Sequence, residues 1–198
     1  MSRVSTEIRQ EQIVSEAIKI IHQKGYSGLS IRELAGKVGI SEPAIYRHFR
    51  SKEEIILRIL ERMNRFGDLL RQELNKLPDA RSKIKKLVEM HLEFLEANRE
   101  MTSVIFSEEI FEPREGIQQK VREIIRSRRE FLDQLLEVAR QNKEVVDVPA
   151  QELSIVILGY LRMTVLEWRT ANFSFSLQDR GQRIIETLDK IIFIKDVS

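Results

Sequence analysis

Apolar residues recur along this chain at intervals of three and four, and no alternating run persists long enough to make a strand, so the pattern predicts an all-α fold. Val14, Ala17, Ile18 and Ile21 mark one face of a first helix over about residues 6 to 24, with Gly25 as its C-terminal stop. Ser30-Ile-Arg-Glu33 is a capping-box pattern, in which serine and glutamate satisfy free amides at a helix start. Ile31, Leu34, Ala35 and Val38 follow at i, i+3, i+4 and i+7, giving a short amphipathic helix ended by Gly39. Ser41 is placed to cap a third helix, whose first turn tolerates Pro43 because amides there have no intrahelical partner to lose. On a helical wheel Ile45 and Phe49 fall together toward a core, while Pro43 and Arg47 point away, flanked by Ala44, Tyr46 and Arg50. Ser51-Lys-Glu-Glu54 is a second capping box, opening a fourth helix striped by Ile56, Ile59, Leu60, Met63, Gly67, Leu70 and Leu74.

Beyond Pro78 the pattern predicts helices over about 80 to 97 and 100 to 110, then a long one starting near Pro113 and reaching about Asn142. In that long helix Ile117, Val121, Ile124, Ile125, Arg128, Leu132, Leu135, Leu136 and Ala139 keep one stripe. Two more helices, about 149 to 171 and 177 to 195, bring the total to about nine. The most apolar stretch, Leu153 to Trp168, is too short to span a bilayer and carries Arg162, so it reads as a buried helix and no membrane is implied. There is no repeat, low-complexity segment or glycine-serine linker. A domain boundary is therefore expected within or along the fourth helix, with residues 1–52 forming one domain and 53–198 the other.

Composition narrows the function classes. With 42% hydrophobic and 32% charged residues the chain can bury a core and is unlike a disordered segment. The absence of cysteine removes disulfides, thiolate metal sites and a cysteine nucleophile. The opening MSRVSTEIRQEQ lacks the apolar run of a signal peptide, so a cytoplasmic protein is expected. Net charge is +2, but residues 1–52 hold nine Lys and Arg against five Asp and Glu, a balance of +4, and the remainder balances at −2. No nucleophile-base-acid set, metal-ligand cluster or phosphate-cradling glycine loop is present, so neither an enzyme, a cofactor nor a metal is expected.

Three short helices with a tight Gly39-Ile40-Ser41 turn fit a helix-turn-helix, whose second helix enters the major groove of DNA. The residue types suit that use: Arg47 can reach a guanine edge or a phosphate, Tyr46 and His48 can donate to phosphates, and Pro43 with Ala44 can meet a thymine methyl. Lys52, Ser30 and the amides near them offer further phosphate contacts. The competing reading is a small helical bundle with these residues on an ordinary surface.

The stretch GYSGLSIRELAGKVGISEPAIYRHFRSKEEIILRIL, Gly25 to Leu60, resembles the DNA-binding region of the TetR family of transcriptional regulators, with Tyr46, His48-Phe49 and Lys52-Glu53-Glu54 carrying the likeness. The resemblance implies an N-terminal helix-turn-helix domain joined to a larger helical ligand-binding and dimerisation domain. It also implies a homodimer formed through the last two helices and a palindromic double-stranded DNA operator. It places Glu42, Pro43, Ala44 and Arg47 near bases, and Ser30, Tyr46, His48 and Lys52 on the phosphate backbone. Glu42 is a departure, since a carboxylate repels phosphates; it either accepts from a cytosine N4 or favours its helix N-terminus electrostatically.

In the larger part, Ile155 to Leu161 is apolar nearly all round, which fits a helix packed on its own core and on a partner, or simply a core helix. Met63, Phe66, Met90, Phe94, Met101, Ile105, Phe106 and Met163 are candidates to line an apolar cavity, with Arg99, Glu109 or Arg162 as a polar anchor. The same residue types fill any helical core. His91 falls on an apolar stripe and reads as a satisfied core histidine, and His22 has no cluster around it. The expectation is a dimeric DNA-binding repressor released by a small apolar effector. The alternative is a DNA-bound protein that recruits a protein partner, because Asn98 to Pro113 loosely resembles nucleoid-occlusion members of the family.

Overall fold

The structure is a computed structural model that describes residues 5–108 and 115–194. Among them are nine helices: α1 (Thr6–Lys24), α2 (Ile31–Val38), α3 (Glu42–Tyr46), α4 (Lys52–Asn75), α5 (Ala80–Ala97), α6 (Met101–Ile105), α7 (Glu115–Gln141), α8 (Ala150–Thr170) and α9 (Leu177–Ile192). None is long and apolar enough to cross a membrane. They form two compact units: Met1–Arg65 with Arg99–Glu123, and Phe66–Asn98 with Ile124–Ser198. One division falls inside α4 and another inside α7. The expected start of the long helix at Pro113 lies outside the described residues.

In the first unit, α1 buries Ile13, Val14, Ala17, Ile18, Ile20 and Ile21, α2 buries Leu34 and Ala35, and α4 buries Ile55, Ile56, Ile59 and Leu60. Removing such side chains from water is the main favourable term, roughly 1.5–3 kcal/mol each. Local signals set the ends. Ser5 Oγ accepts from the Ile8 amide at 3.3 Å, and Gly25, at φ 73°, returns its amide to Ile21 O. The two capping boxes form only in part. Ser30 Oγ accepts from Glu33 N at 3.2 Å, but the Glu33 carboxylate is drawn away to Lys24 Nζ at 2.6 Å. Ser51 Oγ accepts from Glu54 N at 3.2 Å, while the Glu54 carboxylate accepts from Arg50 N, one residue before the cap. Ser41 precedes α3 without a side-chain cap, and its carbonyl accepts from Ala44 N at 2.9 Å and Ile45 N at 3.2 Å. Helix α6 is shorter than the expected 100 to 110, leaving helical geometry at Phe106. It meets α1 through His22 Nδ1 and Ser103 Oγ, 2.9 Å apart.

In the second unit α5 and α9 lie against each other where Gly181 meets Leu92; a Cβ on Gly181 would stand 2.9 Å from Leu92 Cδ1. Glu96 accepts from the Leu177 amide at the start of α9, at 3.0 Å. Helix α9 ends at Ile192, before the expected 195, because Phe193 turns to extended backbone and forms a single antiparallel bridge with Val145. The Val146 amide donates to Ile192 O at 2.8 Å and the Ile194 amide to Glu144 O at 3.1 Å. Trp168 Nε1 donates to Phe175 O at 2.8 Å, fixing the α8–α9 turn.

Candidate nucleic-acid interface

Helix α2 ends at Gly39 in the left-handed region (φ 73°, ψ 35°), a conformation that favours glycine. The Ile40 amide donates back to Ala35 O at 3.0 Å, which tightens the turn before α3. Helix α3 covers only Glu42–Tyr46, yet the His48 and Phe49 amides still donate to Ile45 O at 2.9 and 3.0 Å. That continued turn buries Phe49 beside Ile45, as the wheel predicts. Glu42, Pro43, Tyr46, Arg47 and Arg50 are exposed, with Tyr46 at 52% of its full accessibility.

Three expected contact residues sit differently from their sequence reading. Ala44 is 8% accessible and packs inward with Ile45, because a five-residue helix resting on α2 has a broad inner face. His48 is half-buried: its Nδ1 is enclosed without a partner, while its carbonyl accepts from Gln10 Nε2 at 3.2 Å. Lys52 donates to Tyr26 O at 2.9 Å and lies 4.2 Å over the Tyr26 ring, so it fastens the start of α4 to the turn after α1. Ser30 is exposed, and its cap bond uses only the oxygen's acceptor capacity, leaving the hydroxyl proton available. Arg32 and Lys37 on α2 are also exposed, cations that the excess of positive charge in residues 1–52 signalled without locating.

The second unit holds a cavity of about 90 Å³. Phe66, Leu87, Leu132, Leu158 and Leu161 form apolar walls, and Arg71, His91 and Arg128 add polar ones. Of the eight side chains expected to line a cavity, Phe66 is the one that lines this cavity. Phe94 stacks behind it, ring centroids 4.0 Å apart; Met63, Met101, Ile105 and Phe106 belong to the first unit; Met90 is half-buried off the wall; and Met163 is 62% exposed. Of the expected anchors, Arg99 and Arg162 are exposed, and Glu109 lies outside the described residues.

His91 keeps its place on the apolar stripe, where it is half-buried and lines the cavity. Its ring faces Phe66 at 6.5 Å and has no hydrogen bond among the described residues. Burial, with the Arg128 charge adding to it, pushes its pKa down to about 4, so the imidazole is neutral at pH 7. Arg71 donates through Nη2 to Ser127 Oγ at 2.9 Å and to Ser127 O at 3.3 Å, and its guanidinium lies 5.0 Å over the Phe131 ring. Its Nε is buried without a partner among the described residues. Burial also lowers the Arg128 pKa, opposed by Asp68. Gly67 lies beside that guanidinium, and a Cβ there would make ordinary van der Waals contact with Arg128 Nε at 3.6 Å. The sequence signal was present: Arg128 and Gly67 each interrupt an apolar stripe.

Residues 13–59 match the family model of bacterial regulatory proteins, tetR family, and residues 59–190 match that of the YsiA-like protein, C-terminal region. The chain is 22% identical over 179 residues to the fatty acid metabolism regulator protein of Bacillus subtilis, covering 89% of this chain and 92% of that one. It is 22% identical over 174 residues to the nucleoid occlusion factor SlmA of Photobacterium profundum, covering 84% and 87%. The crystal structure of the transcriptional regulator FadR from Bacillus subtilis in complex with stearoyl-CoA superposes with a TM-score of 0.79 at 22% identity, over 90% of this chain and 96% of that one. With two adjoining models spanning residues 13–190 and the helix-turn-helix formed by α2 and α3, the chain belongs to the TetR family of bacterial DNA-binding transcriptional regulators.

Proposed function

We propose that this regulator binds a palindromic operator as a homodimer, using residues 1–52 to read DNA and residues 53–198 to dimerise and to hold an effector with a fatty-acyl chain. The observation that carries the DNA reading is the exposed Tyr46-Arg47 pair, turned outward by the burial of Ile45 and Phe49 on the opposite side of the same short segment. Arg47 and Pro43 meet base edges; Tyr46, Ser30 and the accessible edge of His48 meet phosphates. Ala44, small and nearly buried, lets the backbone approach a thymine methyl. Lys52 contributes by fixing the start of α4 to the turn after α1, which holds the neighbouring phosphate-facing residues in place. Glu42, exposed in the first turn of α3, penalises phosphate-only encounters and accepts from a cytosine N4, favouring specific over non-specific binding.

The dimer reading rests on α8, where Ile155, Val156 and Met163 are exposed along one stripe with Gly159, around which nothing lies within 4 Å of a Cβ position. Together with α9, whose Ile191 is also exposed, this face supplies apolar area for a second copy. The acyl effector is supported by the stearoyl-CoA of the FadR complex and by the apolar walls of the second unit's cavity. At about 90 Å³ that cavity is below the usual range for ligand pockets, so binding entails widening it. The SlmA match favours a second reading, recruitment of a protein partner by the same fold.

A gel shift with the DNA upstream of the protein's own gene tests the first reading. Wild type binds with strong salt dependence, and Tyr46→Ala with Arg47→Ala does not. Retained sequence-specific binding by the double variant refutes the assignment of the reading segment. Release of the bound DNA by decanoate or decanoyl-CoA supports the effector; its absence, with no thermal stabilisation by either, favours the protein-recruiting reading.

A further inference from the structure

We propose that the cavity of the second unit reads an oxyanion at the end of the effector's apolar chain, with Arg71 as its anchor; this rests on the effector reading above. Arg71 lines the cavity, yet among the described residues its partners are Ser127 and the Phe131 ring, and no carboxylate there pairs with it. Its buried Nε is an unused donor, and leaving a charged donor unmet away from water is costly. Ser127 occupies Nη2, so Nε and the remaining guanidinium nitrogen are left for an incoming oxygen.

The charges around the cavity agree. Arg71 and Arg128 contribute two positive charges, Asp68 acts on Arg128 with one negative, and His91 is neutral. The balance of one positive charge matches a monoanion, and neutral His91 can offer either a donor or an acceptor. The walls of Phe66, Leu132 and Leu158 then take the first carbons of an apolar chain. A neutral alcohol or ester would leave the cationic charge of Arg71 unmatched. Two molecules bring an oxyanion: a free fatty acid, through the carboxylate directly at the end of its chain, and an acyl-CoA, through a phosphate separated from the acyl chain by the pantetheine arm, in which case the walls hold that arm.

The test is calorimetric titration of the full-length protein with decanoate, decanoyl-CoA and decanol, using wild type, R71Q and R71K. In wild type at least one of the two anionic ligands should bind about tenfold or more tighter than decanol, and whichever does so identifies the source. R71Q should lose that preference while its decanol affinity stays the same, and R71K should keep part of it. Equal binding of all three ligands by wild type, or an undiminished preference in R71Q, overturns the oxyanion site while leaving the acyl effector intact. If wild type binds none of the three and keeps its DNA in their presence, the effector reading fails and this inference falls with it. Melting curves of R71Q and R71K confirm folding before titration, and R71K keeps the test valid should R71Q fail to fold.

Discussion

His91 gives a stability signature that can be worked out in advance. Its folded-state pKa is about 4 against an ordinary value of 6.5, so between those values the unfolded chain binds a proton that the folded one refuses. Stability therefore falls as pH drops through 6.5 and levels off below about 4; at pH 7 the ring is neutral in both states and nothing is lost. At about 1.4 kcal/mol per pH unit the full effect is about 3 kcal/mol, and by pH 5 about 2 kcal/mol of it has been spent. The charged groups facing the ring, Arg128 and Arg71, keep their charge throughout this range, so they do not blur the transition. The comparison that isolates His91 is urea unfolding of wild type and His91→Gln at pH 7 and pH 5, at equal protomer concentration. Carboxylates begin to titrate near pH 5 in both proteins and cancel in the difference. Wild type should lose about 2 kcal/mol more than the variant between the two pH values. Equal losses, within about 0.5 kcal/mol, would show that partial burial and the Arg128 charge do not depress this ring's pKa and would refute the reasoning.

Gly28→Ala should destabilise the first unit by about 1–3 kcal/mol, because the new Cβ would stand 2.4 Å from Lys24 Cβ and 2.8 Å from Lys24 O, neither of which can move without the end of α1. Thermal melting measures the loss, and DNA affinity should fall with it, since Gly28 leads directly into Ser30 and α2. Met163→Asp, at an exposed position of α8, should leave the protomer folded by circular dichroism but monomeric by sedimentation, with operator binding weakened. A dimer of undiminished stability would remove α8 from the interface.

Features governed by neighbours within a turn or two were legible in the sequence. The ends of α1, α2, α4 and α5, the Gly39 turn and the pairing of Ile45 with Phe49 all follow from spacing and capping chemistry. What escaped depends on residues distant in the chain. Helix α9 stops at Ile192 because Phe193 is claimed by Val145, and no local signal carries that. Lys52 is withdrawn toward Tyr26, and Glu33 is diverted from its capping box by Lys24, each through a partner on another element. Arg71, His91 and Arg128 come from three helices, and only packing reveals that they share one wall. Periodicity marked His91 and Arg128 as anomalies on apolar stripes, but it could not pair them.

Helix α4 links these observations. Its first half is held to α1 by Arg58 to Gln10, Arg62 to Ser15 and Arg65 to Glu11, while Phe66, Gly67, Leu70 and Arg71 on its second half line the cavity. Lys52 and Arg71 belong to the same 24-residue helix. For an effector to move a two-state equilibrium from mostly DNA-bound to mostly released, it must favour one state by about 5.5 kcal/mol. A charged hydrogen bond to Arg71 supplies about 1.5–3 kcal/mol, well short of that. Burying methylenes on the apolar walls adds about 0.8 kcal/mol each, so three to five more carbons in contact close the gap. An oxyanion without a chain thus leaves the switch incomplete, and a chain without an oxyanion needs about seven buried carbons in place of three to five, so the pairing of a guanidinium with leucine and phenylalanine walls sets the chain length at which the signal is complete.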